Sequence, residues 1–443
     1  MPISSQLRDG LIEVVGEAGI LPANQFDRYQ VDGFVPQAVL LPASVREIQE
    51  VLSYATDRKL SVIPAGNGTK LEIGNPPDKV DLVLSMSRLN QVLEYEPADL
   101  TVTVQAGIRL VDLQARLAEY GQYLPLDPPY ANHATIGGIT ATNSSGPSRL
   151  RYGAARDLVL GVHTVQSSGT VLKSGGKVVK NVAGYDLNKL YIGSFGTLGL
   201  ITAVSFKLQP LPETERTALL TFKETAQAVD VALKILGSQL LPIFLNLVVN
   251  GVPFTEIAEP CLLIGMEGHH ETVEWQIDQV GTLAEQNGAI GVGVYEGTPQ
   301  RDIQASMRSF PEGGWTSQIV MSKANVPVTD VEGFINTALA TNSGLSCLVQ
   351  VMGLMGSGIV YVAFSDFPEN NVLVQPVVDA LAQLRDAAAT VGGNLMVESA
   401  PTQIKHQIDV WGPVGNSFEL MKSIKARLDA TSLLNPGRFV GGI

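Results

Sequence analysis

Pro64-Ala-Gly-Asn-Gly-Thr-Lys70 follows a short β-type run, Ser61-Val-Ile, and its two glycines let successive backbone N–H groups converge on an anion. Alone, such a turn says little. Gly74 does not complete a Gly-x-Gly-x-x-Gly fingerprint leading into a helix, so a nicotinamide site on a doubly wound sheet is disfavoured. Two further glycine segments add weight to the first. Ala134-Thr-Ile-Gly-Gly-Ile-Thr-Ala-Thr-Asn-Ser-Ser-Gly146 runs on to Arg151-Tyr-Gly153. Its Gly137-Gly138 pair permits close backbone approach to a ligand, while Thr142, Asn143 and Ser144 offer side-chain hydrogen bonds. The third, Gly175-Gly-Lys-Val-Val-Lys-Asn-Val-Ala-Gly-Tyr-Asp186, continues to Gly193-Ser-Phe-Gly-Thr-Leu-Gly-Leu-Ile201.

Outward from these loops, the stretch between Pro36 and Pro212 is dense in glycine and turn residues, with short β-type runs and only two clear helical patterns. One is Ser44 to Arg58, opened by the capping box Ser44-Val-Arg-Glu47; the other is Leu110 to Tyr120, with Leu110, Leu113 and Leu117 on one face. This reads as an α+β domain whose many unusual loops suit an extended ligand. Leu211-Pro-Glu-Thr-Glu215 marks a boundary. Beyond it the order βαββαβ can be read twice. The first copy is strand Thr217 to Phe222, helix Glu224 to Leu236, strands Ile243 to Val249 and Cys261 to Met266, helix Glu271 to Asn287 and strand Ile290 to Tyr295. The second is strand Gln318 to Ser322, helix Thr329 to Thr341, strands Leu345 to Met352 and Ile359 to Phe364, helix Asn371 to Val391 and strand Asn394 to Val397. Two ferredoxin-like units joined into one antiparallel layer are expected. The tail carries an amphipathic helix and then Leu434-Asn-Pro-Gly-Arg-Phe439.

Composition narrows the function. The chain has 443 residues with 45% hydrophobic and 16% charged, enough apolar content for two or three domains and too much for a disordered chain. A formal charge of −13 disfavours nucleic acid and anionic membrane surfaces. Cys261 and Cys347 stand far apart, so no disulfide framework, Cys-x-x-Cys pair or iron-sulfur cluster is expected, and the setting reads as reducing cytoplasm. The N-terminal residues do not read as a signal peptide. Gly344 to Phe364 is uncharged, but Gly353-Leu-Met-Gly-Ser-Gly358 breaks it into two strands rather than one membrane helix. Phosphate-loop and zincin signatures are missing. Of the five histidines only His269-His270 are close, and adjacent helical residues point to different faces, so no metal is expected.

The three glycine segments together resemble the FAD-binding oxidoreductases of the vanillyl-alcohol oxidase type, whose FAD domain is of the PCMH class. The resemblance spans about residues 36 to 212 plus the tail. It implies that Pro64, Gly66, Asn67, Gly68, Thr69 and Lys70 form the pyrophosphate loop, and that Thr135, Gly137, Gly138, Thr142, Asn143 and Gly146 form a second FAD loop. It adds Gly196 and Ile201 from the strand entry, and Arg438 from the Asn435-Pro-Gly-Arg438 signature that returns to the FAD domain. The implied fold is α+β: an N-terminal helical segment 1–35, a PCMH-type FAD domain 36–212, a ferredoxin-like antiparallel cap 213–405 and a tail 406–443 packing on the FAD domain. Covalent attachment of the flavin is not expected, because the first FAD loop has no histidine and neither cysteine lies in an FAD motif.

Within that family, Lys180-Asn-Val-Ala-Gly-Tyr-Asp186 and the segment after it resemble the glycolate oxidase/dehydrogenase group, particularly its smaller FAD-binding E subunit. The catalytic D subunit and the D-lactate and D-2-hydroxyglutarate dehydrogenases carry a His-rich Gly-Asp-Gly-Asn segment where this chain has Val349-Gln-Val-Met-Gly-Leu-Met-Gly-Ser-Gly358. Where they have Gly-Glu-His-Gly, this chain offers Gly392-Gly-Asn-Leu-Met-Val-Glu398. Oxidising a 2-hydroxy acid requires a base for the hydroxyl proton and a cation for the carboxylate. Lys180, Tyr185 and Glu398 are the candidates, set against loop ion pairing, aromatic packing and strand-end solvation as plainer roles. His133 stands beside the second FAD loop and reads as a loop histidine. The expectation is a non-covalent FAD subunit of a glycolate dehydrogenase-like complex, partnered by a homologous catalytic FAD subunit and an iron-sulfur subunit. Any membrane association would be made through those partners. A self-sufficient FAD-dependent 2-hydroxy-acid dehydrogenase and a non-enzymatic assembly subunit are the alternatives.

Overall fold

The structure, a computed structural model, describes residues 5–176, 185–251, 257–312, 319–345, 347–367 and 373–443. It divides into two compact units: Met1–Ser145, Ala154–Leu211 and Pro413–Ile443 form the first, and Gly146–Gly153 with Pro212–Gly412 the second.

In the first unit, β1 (Ala38–Leu40), β2 (Val62–Ala65) and β3 (Leu82–Ser85) make a parallel sheet in the order β1-β3-β2. A crossover helix, Val45–Arg58, is what such parallel pairing requires. Its expected start holds, since Ser44 Oγ accepts from Glu47 N at 3.2 Å and Glu47 Oε2 accepts from Ala43 N at 2.8 Å. Ile48, Val51, Leu52 and Ala55 are buried at helical spacing. The second sheet takes strands β4 (Val92–Glu96), β5 (Thr101–Gln105), β7 (Val159–Val165), β8 (Val171–Gly175) and β9 (Leu200–Lys207) in the antiparallel order β4-β5-β9-β7-β8. The short strands β6 (Gln122–Tyr123) and β10 (Gln209–Pro210) pair separately. One apolar core joins the parallel sheet (Val62, Leu82, Leu84), the antiparallel sheet (Val102, Val104, Val204, Phe206) and the buried leucines of helix Leu110–Ala118. Val39, Ile63 and Val83 point to the opposite face and pack with Tyr29, Val31 and Leu71.

The second unit is one eight-stranded antiparallel sheet. Its strands are β11 (Thr214–Thr221), β12 (Phe244–Val249), β13 (Cys261–Gly268), β14 (Gly291–Tyr295), β15 (Val320–Asn325), β16 (Leu348–Leu354), β17 (Ile359–Ser365) and β18 (Asn394–Ser399). They run in the order β14-β11-β13-β12-β16-β17-β15-β18. Each half has the ferredoxin-like order of fourth, first, third and second strand, and the second strands of the two halves pair at the join. Helices Thr225–Leu236, His270–Gln286, Val331–Ala340 and Val374–Thr390 cover one face through a single apolar cluster. Helix Gly297–Ser309 was not expected from the sequence; it lays Ile303 and Met307 against the opposite face. No described helix is long and apolar enough to cross a membrane, and the uncharged stretch around residue 354 is the β16–β17 hairpin.

Candidate functional site

A cleft in the first unit is lined mainly from four sequence regions: 64–73, 134–144, 195–201 and 435–438. The first region leaves the end of β2. The loop's course is set by contacts that leave no room for a side chain, since a Cβ on Gly66 would run into Thr135 Oγ1. Thr135 is occupied already as the N-cap of helix Ile136–Thr142, accepting from Gly138 N at 3.3 Å. Below the loop, Tyr29 donates to Ser85 Oγ at 3.0 Å and Ser85 donates to Gly66 O at 2.7 Å. Asn67 donates to His133 O at 2.9 Å, and Lys70 Nζ donates to Ser144 Oγ at 2.6 Å.

The second region, read from sequence as a loop, contains the helix Ile136–Thr142. Gly137 is required by packing, because a Cβ there would stand 2.7 Å from Ala106 Cβ and 3.0 Å from Ala106 O. Thr142 Oγ1 donates back to Gly138 O at 2.8 Å. The third region is held against the second by Gly193 N to Thr140 O at 3.1 Å and Phe195 N to Ala141 O at 2.9 Å.

The tail closes the cleft. Val62 N donates to Leu433 O at 2.9 Å and Asn435 N to Val62 O at 2.8 Å, while Asn435 Nδ2 donates to Phe195 O at 2.9 Å. Arg438 is 3% exposed and donates to Leu71 O, to Ile73 O at 2.8 Å and to Asn435 Oδ1 at 3.1 Å. Burial pulls its guanidinium down to about 10, with the Asp32 carboxylate opposing, so it stays charged at neutral pH. Lys425 anchors the same tail from inside. Its Nζ donates to Thr197 O at 2.9 Å, Leu434 O at 2.8 Å and Asp429 Oδ2 at 2.6 Å.

Among the described residues the cleft lining carries two cations, Lys70 and Arg438, and no carboxylate. In a chain of net charge −13 that is a local reversal, and it matches a pyrophosphate. The donor set and the glycine-walled cradle fit FAD.

All but two of the expected cofactor residues line this cleft. The exceptions are Asn143 and Gly146. Asn143 ends helix Ile136–Thr142 in the left-handed conformation at φ 47°, and its Oδ1 accepts from Arg156 N at 3.0 Å. Gly146 begins a segment that clusters with the second unit. Of the catalytic candidates, Lys180 lies outside the described residues, and Tyr185 is 96% exposed. His133 is exposed; its backbone oxygen accepts from Asn67 and its backbone N donates to Tyr130 O at 2.8 Å. His269 pairs with Glu213 at 2.9 Å, and no group of three or more His, Cys, Asp or Glu side chains suited to a metal occurs among the described residues.

Glu398 is not a solvated strand end. On β18 it is 11% exposed at the side chain and faces Lys323 Nζ of β15 at 3.8 Å. Lys323 also lies 5.7 Å from the centre of the Tyr361 ring. By strand alternation both stand on the sheet face bearing Met321, Met352, Leu354, Ile359 and Tyr361. Lys323 went unnoticed in the sequence, where a lysine inside Val-Met-Ser-Lys-Ala-Asn gives no motif. Only the alternation of β15 could have placed it beside Glu398.

A family model described as FAD binding domain matches residues 36–175, and one described as FAD linked oxidases, C-terminal domain, matches residues 211–439. The chain belongs to the FAD-linked oxidases, and its cofactor is FAD. Glycolate oxidase subunit GlcD of Bacillus subtilis is 28% identical over 461 aligned positions, covering 98% of this chain and 97% of that protein. A probable mitochondrial D-lactate dehydrogenase of Danio rerio is 27% identical, covering 91% of this chain and 84% of that protein. In fold the chain is similar to p-cresol methylhydroxylase, with a TM-score of 0.75 at 14% identity across 99% of this chain and 98% of that one. The expected class of FAD-binding oxidoreductase is borne out.

Proposed function

We propose that this protein oxidises a small 2-hydroxy acid, glycolate or D-lactate, to the 2-oxo acid through non-covalently bound FAD. In this reading it acts as the FAD-binding subunit of a glycolate dehydrogenase-like complex with a homologous catalytic flavoprotein and an iron-sulfur protein. The observation that carries the proposal is the cleft with Lys70 and Arg438 in its wall. FAD, when bound, accepts the two electrons that leave the substrate carbon. The residues of the two glycine loops, with Gly196, Ile201 and Arg438, would hold it; no histidine or cysteine is among the described lining residues, which supports non-covalent binding. The names of the relatives support the substrate class.

The subunit reading is supported by Met321, Met352, Leu354 and Ile359, which share the sheet face with Lys323 and Glu398 and offer a hydroxy acid no hydrogen bond. The pair itself favours the second reading, a self-sufficient dehydrogenase: the Lys323 ammonium suits a carboxylate, and Glu398 suits the hydroxyl proton. Anaerobic mixing of the FAD-loaded protein with glycolate and D-lactate separates the readings. Slow bleaching alone, accelerated by co-purified partners, is expected. Robust turnover by the isolated chain overturns the subunit reading, and no bleaching with or without partners overturns the substrate class.

A further inference from the structure

The eight-stranded sheet has two edges, β14 and β18. The β18 edge is already engaged, because Val397 N donates outward to Val410 O at 2.8 Å. The β14 edge differs. Among the described residues it pairs with β11 alone, in an unbroken register from Thr217↔Tyr295 to Thr221↔Gly291. Gly291-Val-Gly-Val-Tyr295 contains no charge and no proline, and its pairing shows no bulge, so the usual devices that blunt a sheet edge are missing. Ile290, Val292 and Val294 are 49%, 43% and 48% exposed. Val292 and Val294 stand on one side of the strand, so the edge offers both a backbone ladder and an apolar ridge.

We propose that β14 docks a second copy of this chain, strand to strand and antiparallel, about a two-fold axis through Gly293. Centring the pair there is self-complementary. Val292 of each copy meets Val294 of the other, Gly291 lies opposite Tyr295, and Ile290 lies opposite Glu296. Charge selects this direction. Glu274 and Glu296 crowd the Tyr295 end around Arg216, at 3.6 and 3.3 Å. Antiparallel pairing sets that acidic end against the apolar Ile290 end, whereas parallel pairing would stack the two acidic ends. The sheet already contains such a join. β12 and β16, equivalent strands of the two halves, pair antiparallel with Asn246↔Leu354 and Val248↔Met352.

Light scattering on the full-length, FAD-loaded protein across a concentration series tests this. The mass should rise from 47.2 kDa to twice that value. The rise should sharpen with added salt, since two chains of charge −13 repel while their contact is apolar. Val294→Lys should return the mass to that of one chain without changing flavin absorbance, and Val294→Thr should keep the dimer. In the wild type, amide exchange of β14 should slow with concentration. This readout decides the matter if Val294→Lys folds poorly. A wild type that stays monomeric throughout, or a dimer unaffected by Val292→Lys with Val294→Lys, overturns the proposal.

Discussion

Gly66 has no spare volume at Cα, because the space its Cβ would fill belongs to the hydroxyl that caps helix Ile136–Thr142. Gly66→Ala therefore strains the loop and dislodges Thr135 together. A loss on the order of 1–3 kcal/mol is expected from the overpacking, visible as a lower melting temperature and as less FAD in the purified protein. Asp81 is a second decisive residue. It accepts from Ser61 N at 2.7 Å, Ser61 Oγ at 3.0 Å and Gln37 Nε2 at 2.8 Å, and pairs with Lys79 at 2.7 Å. Burial pushes its carboxyl up, but the bonds from Lys79 and Ser61 outweigh that and hold it below 3.8. Its folded value is depressed, so its stabilisation is present above the unfolded value and lost as pH falls through the folded one. Asp81→Asn should flatten that acid limb in urea midpoints measured across pH; an unchanged limb would refute the assignment. Lys323→Met, on the proposed carboxylate role, should raise KM by about 10- to 100-fold, the equivalent of ~1.5–3 kcal/mol for a bond to a charged group. The site was legible where glycine and charge mark it, as in Gly66, Gly68 and Lys70. It was not legible where the role depends on a partner distant in sequence: Asn143 turns out to serve Arg156, and Lys323 to face Glu398.

Helix Phe418–Leu428 contributes one residue to the interior, Lys425, which is 4% exposed. The ammonium holds Thr197 O of the cleft-lining loop, and Asp429 holds Leu433 N at 3.0 Å and Leu434 N at 2.8 Å, so a single ion pair fixes both the helix and the tail. Lys425→Met leaves Asp429 charged, buried and uncompensated, at a cost of about 3–5 kcal/mol. Lys425→Met with Asp429→Leu should recover much of it, and a double-mutant cycle on unfolding midpoints reads the coupling. Additive losses would show that the pair does not act as a unit. Among the elements, those with amphipathic spacing or a cap were legible, Val45–Arg58 with Ser44 being the clearest. Ile136–Thr142 was hidden by its two glycines, which weaken helix propensity, while tertiary contact with Ala106 demands the first of them, Gly137. Gly297–Ser309 lies between the two repeated halves and begins with Gly297 and Pro299, which carry no helical signal of their own although proline is tolerated in a first turn.

On the scale of the molecule, each unit has its own apolar core, and the optical probes divide between them. Trp275 and Trp411 belong to the second unit, whereas the proposed FAD cleft belongs to the first. Urea unfolding followed by tryptophan fluorescence and by flavin release should give separate transitions. Free FAD at about 100 times its Kd should stabilise the flavin-linked one by about 2.7 kcal/mol and leave the other in place. Equal shifts in both would mean that the chain unfolds as one cooperative body. The duplicated sheet was legible from its element order, and the chain is interleaved: the first unit is interrupted by the second and completed by Pro413–Ile443. That interleaving bears on biosynthesis. Gly66 to Lys70 leave the ribosome early, yet Asn435 and Arg438, which close the same cleft, follow more than three hundred residues later. During translation the early loops must wait without their cofactor while the whole intervening unit is made. On the proposed site, flavin capture would be a late event, and a nascent chain arrested before residue 435 should be colourless however well its early segments have folded.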